Sequence, residues 1–579
     1  MSSIRRALPF VLAALAATPP ALAAPAAGAN AWCGTHPLNL PVAQARDAAF
    51  ERHLERQRRA GRLPLKSAPV VFQSGNVAVI EDDGTIAVSP KPFDLDGRSV
   101  QFLRRPKGLS AVRSPLDFKD DVGEKLALGD DDAVEIAFPP GFTFPIGDQV
   151  YDSLWVNSDG NLTFGAADAD SSARSLERFL AGPPRIAALF TDLDPSSAGG
   201  VYVSFPPERV RVTWLEVPIF GDNGMVNTFQ VTLFTTGRAN VAYGDRVDAA
   251  DAIVGAAPFG TNALHLIDYD VELPFRPPQR LAIAEEFRST QDVNLAALSR
   301  TFYAHFEDVY DYLAVWEDFF IRLLDGSAFA FAARVRNDVR GLGLPLFDAA
   351  GGFGSSGRLQ TVLQMGFVIR YRPTLGQLIN RTYDSMGILA HEAGHRWLSH
   401  PRYVEPNGAR TNRLIGAGGS HWSHFVDTDG SLMEGNDYED QGGGNFRITE
   451  RTSSHFSDVD QYLMGLLPPA QVADFFYIDN PVIFNQDDVT LVDRIGAVVP
   501  GTRVDAGIDG IIAAEGPRIP GAAAAPKNFR LAFILLARAG QPASQESIDL
   551  LETLRTQFNG YFQDATDNRA TMATGLFPK

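Results

Sequence analysis

The chain of 579 residues is too long for one ordinary domain, and length alone points to about three. Hydrophobic residues make up 45% and charged residues 21%, a globular composition, and the formal net charge of −18 at pH 7 argues against nucleic acid or an anionic membrane as a partner. A single cysteine, Cys33, excludes an internal disulfide, so the fold must rest on packing.

Residues 1–23 read as a secretory signal: Arg5 and Arg6, a mostly apolar run over 7–17, then Ala21-Leu22-Ala23 as a small-residue cleavage site. The expectation is a secreted or periplasmic protein cleaved near Ala23. No later stretch reaches the roughly 18 to 20 uninterrupted apolar residues of a membrane span, so no membrane insertion is expected. Trp32, just before Cys33, breaks the pattern of a lipoprotein cleavage site.

Residues 24–114 read as a leader or propeptide-like segment with a small β-unit. They begin Ala/Pro-rich and pass into a charged stretch, 44–59, with helical periodicity and little to bury. Farther on, Asp82-Asp83-Gly84 between apolar alternations predicts a hairpin that pairs 77–80 with 85–88.

Over 115–285 short β-rich runs recur between Gly, Pro and Asp turns, the spacing of a β-sandwich. The run Trp155-Val156-Asn157-Ser158-Asp159-Gly160-Asn161-Leu162-Thr163-Phe164, with Thr191-Asp192-Leu193-Asp194, Thr213-Trp214 and Asn227-Thr228-Phe229-Gln230, resembles the extracellular module first named in nidogen. The resemblance implies an adhesion or positioning domain with an extracellular partner. Asp192 and Asp194 offer ligands for Ca²⁺, although acidic turn residues are commonly just solvated.

Residues 286–579 change to mixed α/β character, with strands expected at 310–316, 328–336 and 358–366 and a helix opening near Thr382 or Asp384. That helix carries His391-Glu392-Ala393-Gly394-His395. Two histidines four apart share one helix face, so both imidazoles can reach one Zn²⁺ while Glu392 stands beside the bound water as general base. Six of the ten histidines, His391, His395, His400, His421, His424 and His455, crowd into 391–455. The stretches Val335-Arg336-Asn337-Asp338, Leu389 to Trp397 and Phe456 to Leu466 are similar to a family of bacterial secreted zinc metallopeptidases. This likeness implies an α+β zincin-like domain that hydrolyses peptide bonds of a protein or peptide substrate.

The third zinc ligand is open, with Asp460 and His421 the leading candidates and other residues behind them. The metzincin position falls on Pro401, with His400 one short and Leu398 where a glycine is required. Asp460 lies in a helical acidic-aromatic segment, and His421 precedes Ser431-Leu432-Met433-Glu434, which resembles a Met-turn. Tyr462 and His424 are candidates to stabilise an oxyanion, with structural hydrogen bonding as the alternative. Cys33 could hold a silent zymogen through a thiolate on the metal, though a lone cysteine is more often incidental. Asp427-Thr428-Asp429-Gly430 through Gly444 reads as an acidic loop, a second place for Ca²⁺ that departs from EF-hand spacing. The apolar run 531–536 and an amphipathic helix over 544–562 close the chain. Two functions therefore stand: a secreted zinc endopeptidase with an accessory sandwich, or an extracellular binding protein whose zincin domain is silent.

Overall fold

The computed structural model describes residues 33–36, 40–63, 68–260, 263–321, 323, 328–379, 382–416, 419–450, 454–482 and 495–579. The expected signal segment, 1–23, lies outside them. The described chain is β-rich and built from several sheets with few helices.

It opens with strand β1 (Cys33–His36), helix α1 (Leu40–Arg59), and the antiparallel pair β2 (Val70–Ser74) and β3 (Val77–Glu81). The expected 77–80 to 85–88 hairpin does not form. The Asp82 carboxylate accepts the backbone N–H groups of Thr85, Ile86 and Ala87, which turns the chain away, and Ala87–Val88 pairs instead with Asp292–Val293.

Two seven-stranded sheets then pack face to face over 99–287. Their core is formed by alternate residues of facing strands, among them Val212, Trp214, Phe229 and Val231 from one sheet and Leu154, Val156, Ile186 and Val254 from the other. Trp214 and Phe229 stack with ring centroids 4.9 Å apart. The sandwich begins earlier than 115, because Ser99–Arg105 and Gly108–Ser114 are strands of its second sheet.

The remaining chain supplies α2 (Leu295–His305), β4 (Tyr312–Glu317), β5 (Ala330–Arg334), β6 (Thr361–Phe367), α3 (Ser385–Gly394), β7 (Trp422–Asp427), β8 (Glu434–Asp440), α4 (Asp458–Met464), β9 (Asn528–Ala537) and α5 (Gln545–Ala565). An eight-stranded mixed sheet runs β1-β5-β6-β4-β9-β3-β2, with Thr571–Ala573 beside β9. Its centre, β6, β4, β9 and β3, is parallel, while β5 is antiparallel to β6. Strand periodicity divides the two faces. Ala314, Trp316, Leu363 and Phe533 face α3 and α5, whereas Leu313, Val315, Val362 and Ile534 face α2.

The segment 24–114 is thus not a unit of its own. β1, β2 and β3 belong to the mixed sheet, 99–114 belongs to the sandwich, and α1 lies against the sandwich through Val42 and Ala45 on Leu176, Phe179 and Leu266. The sandwich is inserted in the mixed-sheet domain, and the two chain crossings run side by side where Ala87–Val88 meets Asp292–Val293 and Lys91 bridges Arg288. The acidic stretch after 427 is not a loop either. β8 and Asn445–Glu450 form a hairpin whose turn glycines, Gly442, Gly443 and Gly444, all take positive φ.

Candidate metal centre

Helix α3 starts on Asp384, whose side chain accepts the Gly387 N–H at 2.7 Å, and every residue from Ser385 to Gly394 is buried. A helix enclosed on all sides reads as apolar throughout, as this one does apart from Ser385, His391 and Glu392. Gly394 is needed for packing: a Cβ there would lie 2.8 Å from the Met433 sulfur and 2.9 Å from Phe456. The absent side chain lets the turn 431–434 come up directly beneath the histidines.

His391, His395 and His421 meet in the buried interior, with one ring nitrogen of each within 4.8 Å of the others. His391 Nε2 lies 3.0 Å from His395 Nε2 and 3.1 Å from His421 Nε2. The tautomers of two rings are set by carbonyl partners, which can only accept. His391 Nδ1 donates to Leu432 O at 2.6 Å and His395 Nδ1 donates to Leu398 O at 3.2 Å.

Burial, reinforced by the neighbouring imidazoles, lowers the His391 pKa to about 3 and holds that of His395 well below its ordinary value, so both rings are neutral. With Nδ1 protonated, each Nε2 is left with a lone pair, and the two nitrogens lie 3.0 Å apart with no proton between them. Such an arrangement is repulsive unless a cation lies between the nitrogens. The separations fit one: with Zn–N bonds of about 2.0 to 2.1 Å, the edge of a tetrahedron is about 3.3 Å. The donor set of three imidazoles suits zinc.

Asp460, the other candidate for third ligand, is not part of this cluster. Its carboxylate accepts Trp422 Nε1 at 2.7 Å, the Ser457 N–H and hydroxyl both at 2.9 Å, and the Ser431 hydroxyl. It sits three residues into a capping box that begins α4 on Ser457, which fixes its direction. Burial pushes its carboxyl up while these hydrogen bonds oppose the shift. Asp460 therefore ties the residue after His421 to the turn that carries Leu432 O, and acts on the histidines through their supports. Of the two roles open to Tyr462, the structure shows the hydrogen-bonding one: its buried hydroxyl accepts the Arg518 N–H at 3.1 Å, an anchor for the 518 segment.

Glu392 is fully buried beside His391 in α3. His424 on β7 faces the Glu434 carboxylate at 4.0 Å. His400 stands apart, against Arg334 and Gly419 O. The backbone of Cys33 lies in β1.

Of the places suggested for Ca²⁺, Asp427, Asp429 and Asp437 come together, and mutual repulsion adds to burial in raising Asp427 to about 7. Asp192 joins Asp130 and Asp131, where Arg174 already pairs with both Asp131 and Asp192. Asp194 instead accepts hydrogen bonds from Ser196 and Ser197.

A family model described as NIDO related matches residues 114–271. This part of the chain is nidogen-like. In the NIDO-related stretch the motif residues are structural: Asn157 Nδ2 donates to Asn161 O and Thr163 Oγ1, and Asp159 pairs with Arg174 and Arg178. Gly160, at φ +69°, passes so close to Leu189 O that a Cβ would lie 2.1 Å from it. Curated proteins and solved structures give no match to the chain.

Proposed function

We propose that the chain is an exported zinc endopeptidase, with His391, His395 and His421 as metal ligands and Glu392 as general base, carried on an α+β domain of zincin type. The observation that supports this most is the pair of imidazoles whose Nδ1 atoms are committed to backbone carbonyls, so that their Nε2 lone pairs are left free beside the Nε2 of a third histidine. The helix that carries the motif lies against a mixed sheet, next to the antiparallel strand β5.

When bound, zinc supplies a Lewis-acidic charge that brings the pKa of a coordinated water to about 7. The chain's own groups divide the remaining work. Leu432 O and Leu398 O hold two imidazoles in the ligating tautomer and orientation. Glu392 takes the proton of the attacking water and passes it to the leaving amine. Met433 and Phe456, packed on Gly394, keep the floor of the site dry.

Glu392→Gln is the test, because it preserves shape and the histidines while removing the base. It should keep the parent's zinc content and lose turnover by about 10² to 10⁴. Turnover within tenfold of the parent would remove Glu392 from the reaction.

The NIDO-related match favours a second reading, an extracellular binding protein whose sandwich is the working part. A parent protein with neither stoichiometric zinc nor cleavage of casein would leave that reading standing.

A further inference from the structure

The mixed sheet has one edge beside the histidine helix, and the chain's own N-terminal segment takes it. β1 pairs with β5 in parallel register, Cys33 opposite Ala330 through His36 opposite Ala333. Both strands approach α3. A sheet edge offers a row of backbone donors and acceptors that binds any extended chain without regard to sequence, which suits a peptide substrate laid beside a catalytic helix.

The helix after β1 is tethered elsewhere. In α1, Arg46 pairs with Glu286 at 2.6 Å, Arg52 with Glu272 at 3.0 Å and Arg56 with Glu272 at 2.6 Å, all on the sandwich side. Asp47 accepts Asn294 Nδ2 at 3.0 Å and pairs with Arg300 at 3.2 Å, at the start of the mixed-sheet domain. A four-residue strand alone adds little to a sheet; fixed by such a clasp, it competes as an intramolecular ligand at high effective concentration.

We propose that β1 and α1 form an autoinhibitory cap: β1 occupies on β5 the backbone edge that an extended peptide substrate must use, and the α1 clasp holds it there. This rests on the peptidase reading above. The cap withdraws the edge from most molecules, so substrate binds only the uncapped fraction and its apparent affinity falls by that fraction.

The full-length, zinc-loaded chain carrying Gly34→Pro and Thr35→Pro tests this, since proline removes backbone N–H donors from either phase of the ladder. Arg46→Ala, Arg52→Ala and Arg56→Ala together loosen the cap from its other end and leave β1 intact. Two readouts are needed: hydrogen exchange of the amides of 330–334, and KM and kcat on a short unstructured peptide. Both variants should show faster exchange at 330–334 and a KM lower by about tenfold, with kcat unchanged. Faster exchange with unchanged KM would overturn the cap while leaving the peptidase intact. Unchanged exchange in both variants would show that β1 does not protect that edge, and would overturn it too. If the parent and both variants bind zinc and cleave nothing, the peptidase reading fails and the cap fails with it.

Discussion

Asp460 shows how one residue can support a cluster of side chains without joining it. Its two oxygens gather Trp422, Ser431 and Ser457, three points on the elements that place His421 and Leu432 O. Asp460→Asn sets an NH₂ group either where the Trp422 N–H points or where the Ser431 and Ser457 donors point, so at least one buried donor loses its acceptor, at a cost of about 1 to 3 kcal/mol. The expected outcome is a lower urea midpoint with zinc content near that of the parent, which separates support from ligation. Complete metal loss from a folded Asp460→Asn protein would return the residue to the ligand set. The nearness of His391 and His395, with Glu392 beside them, was legible because it follows from spacing on a single helix. Which third side chain joins the two histidines was not. His421 reaches the site only through the strand-and-turn arrangement of 422–434, and a carboxylate in a helical segment looks as suitable as an imidazole in a loop until that path is known.

At the scale of elements, local signals carried far. Asp384 as helix cap, the apolar run that became β9, and Ser544 as the cap of α5 all follow from patterns within a few residues. Pairings between distant parts of the chain did not. β3 lies on β9, Val77 opposite Phe533, and no periodicity near residue 77 announces a partner from the other end of the sequence. The same sheet contains a titrating defect. Glu317 ends β4 fully buried, with Gln364 Nε2 donating to it at 3.1 Å, and burial pushes its carboxyl up to about 8. Between its ordinary value near 4.5 and about 8, the folded chain holds a proton that the unfolded chain releases. The stability it contributes is therefore full below pH 4.5 and is lost as pH rises through 8. Glu317→Gln should remove that fall, so the difference in unfolding free energy between variant and parent grows with pH by at most about 1.4 kcal/mol per unit. Parallel pH profiles for the two proteins would show that Glu317 is not protonated in the fold.

The whole molecule is a mixed-sheet domain interrupted by a sandwich, and composition alone does not reveal insertion. The NIDO-related stretch could be read from its own sequence, because Asn157, Asp159 and Gly160 find their partners, Asn161, Arg174 and Leu189, inside that stretch. Its place inside another domain depends on Ala87–Val88 meeting Asp292–Val293. Since the two crossings are adjacent, replacing residues 92–287 with a short Gly/Ser linker should leave a cooperatively folding remainder that still binds zinc. A folded remainder unable to hold the metal would make the sandwich part of the site. No described helix is long and apolar enough to cross a membrane. Everything proposed for the chain's chemistry depends on the three histidines, and metal content reads them directly. Elemental analysis of the dialysed full-length protein should find about one zinc per parent chain and a small fraction of that in His421→Ala, because catalytic zinc is held by about three protein ligands. Zinc absent from the parent, or retained equally by His421→Ala, would contradict the account.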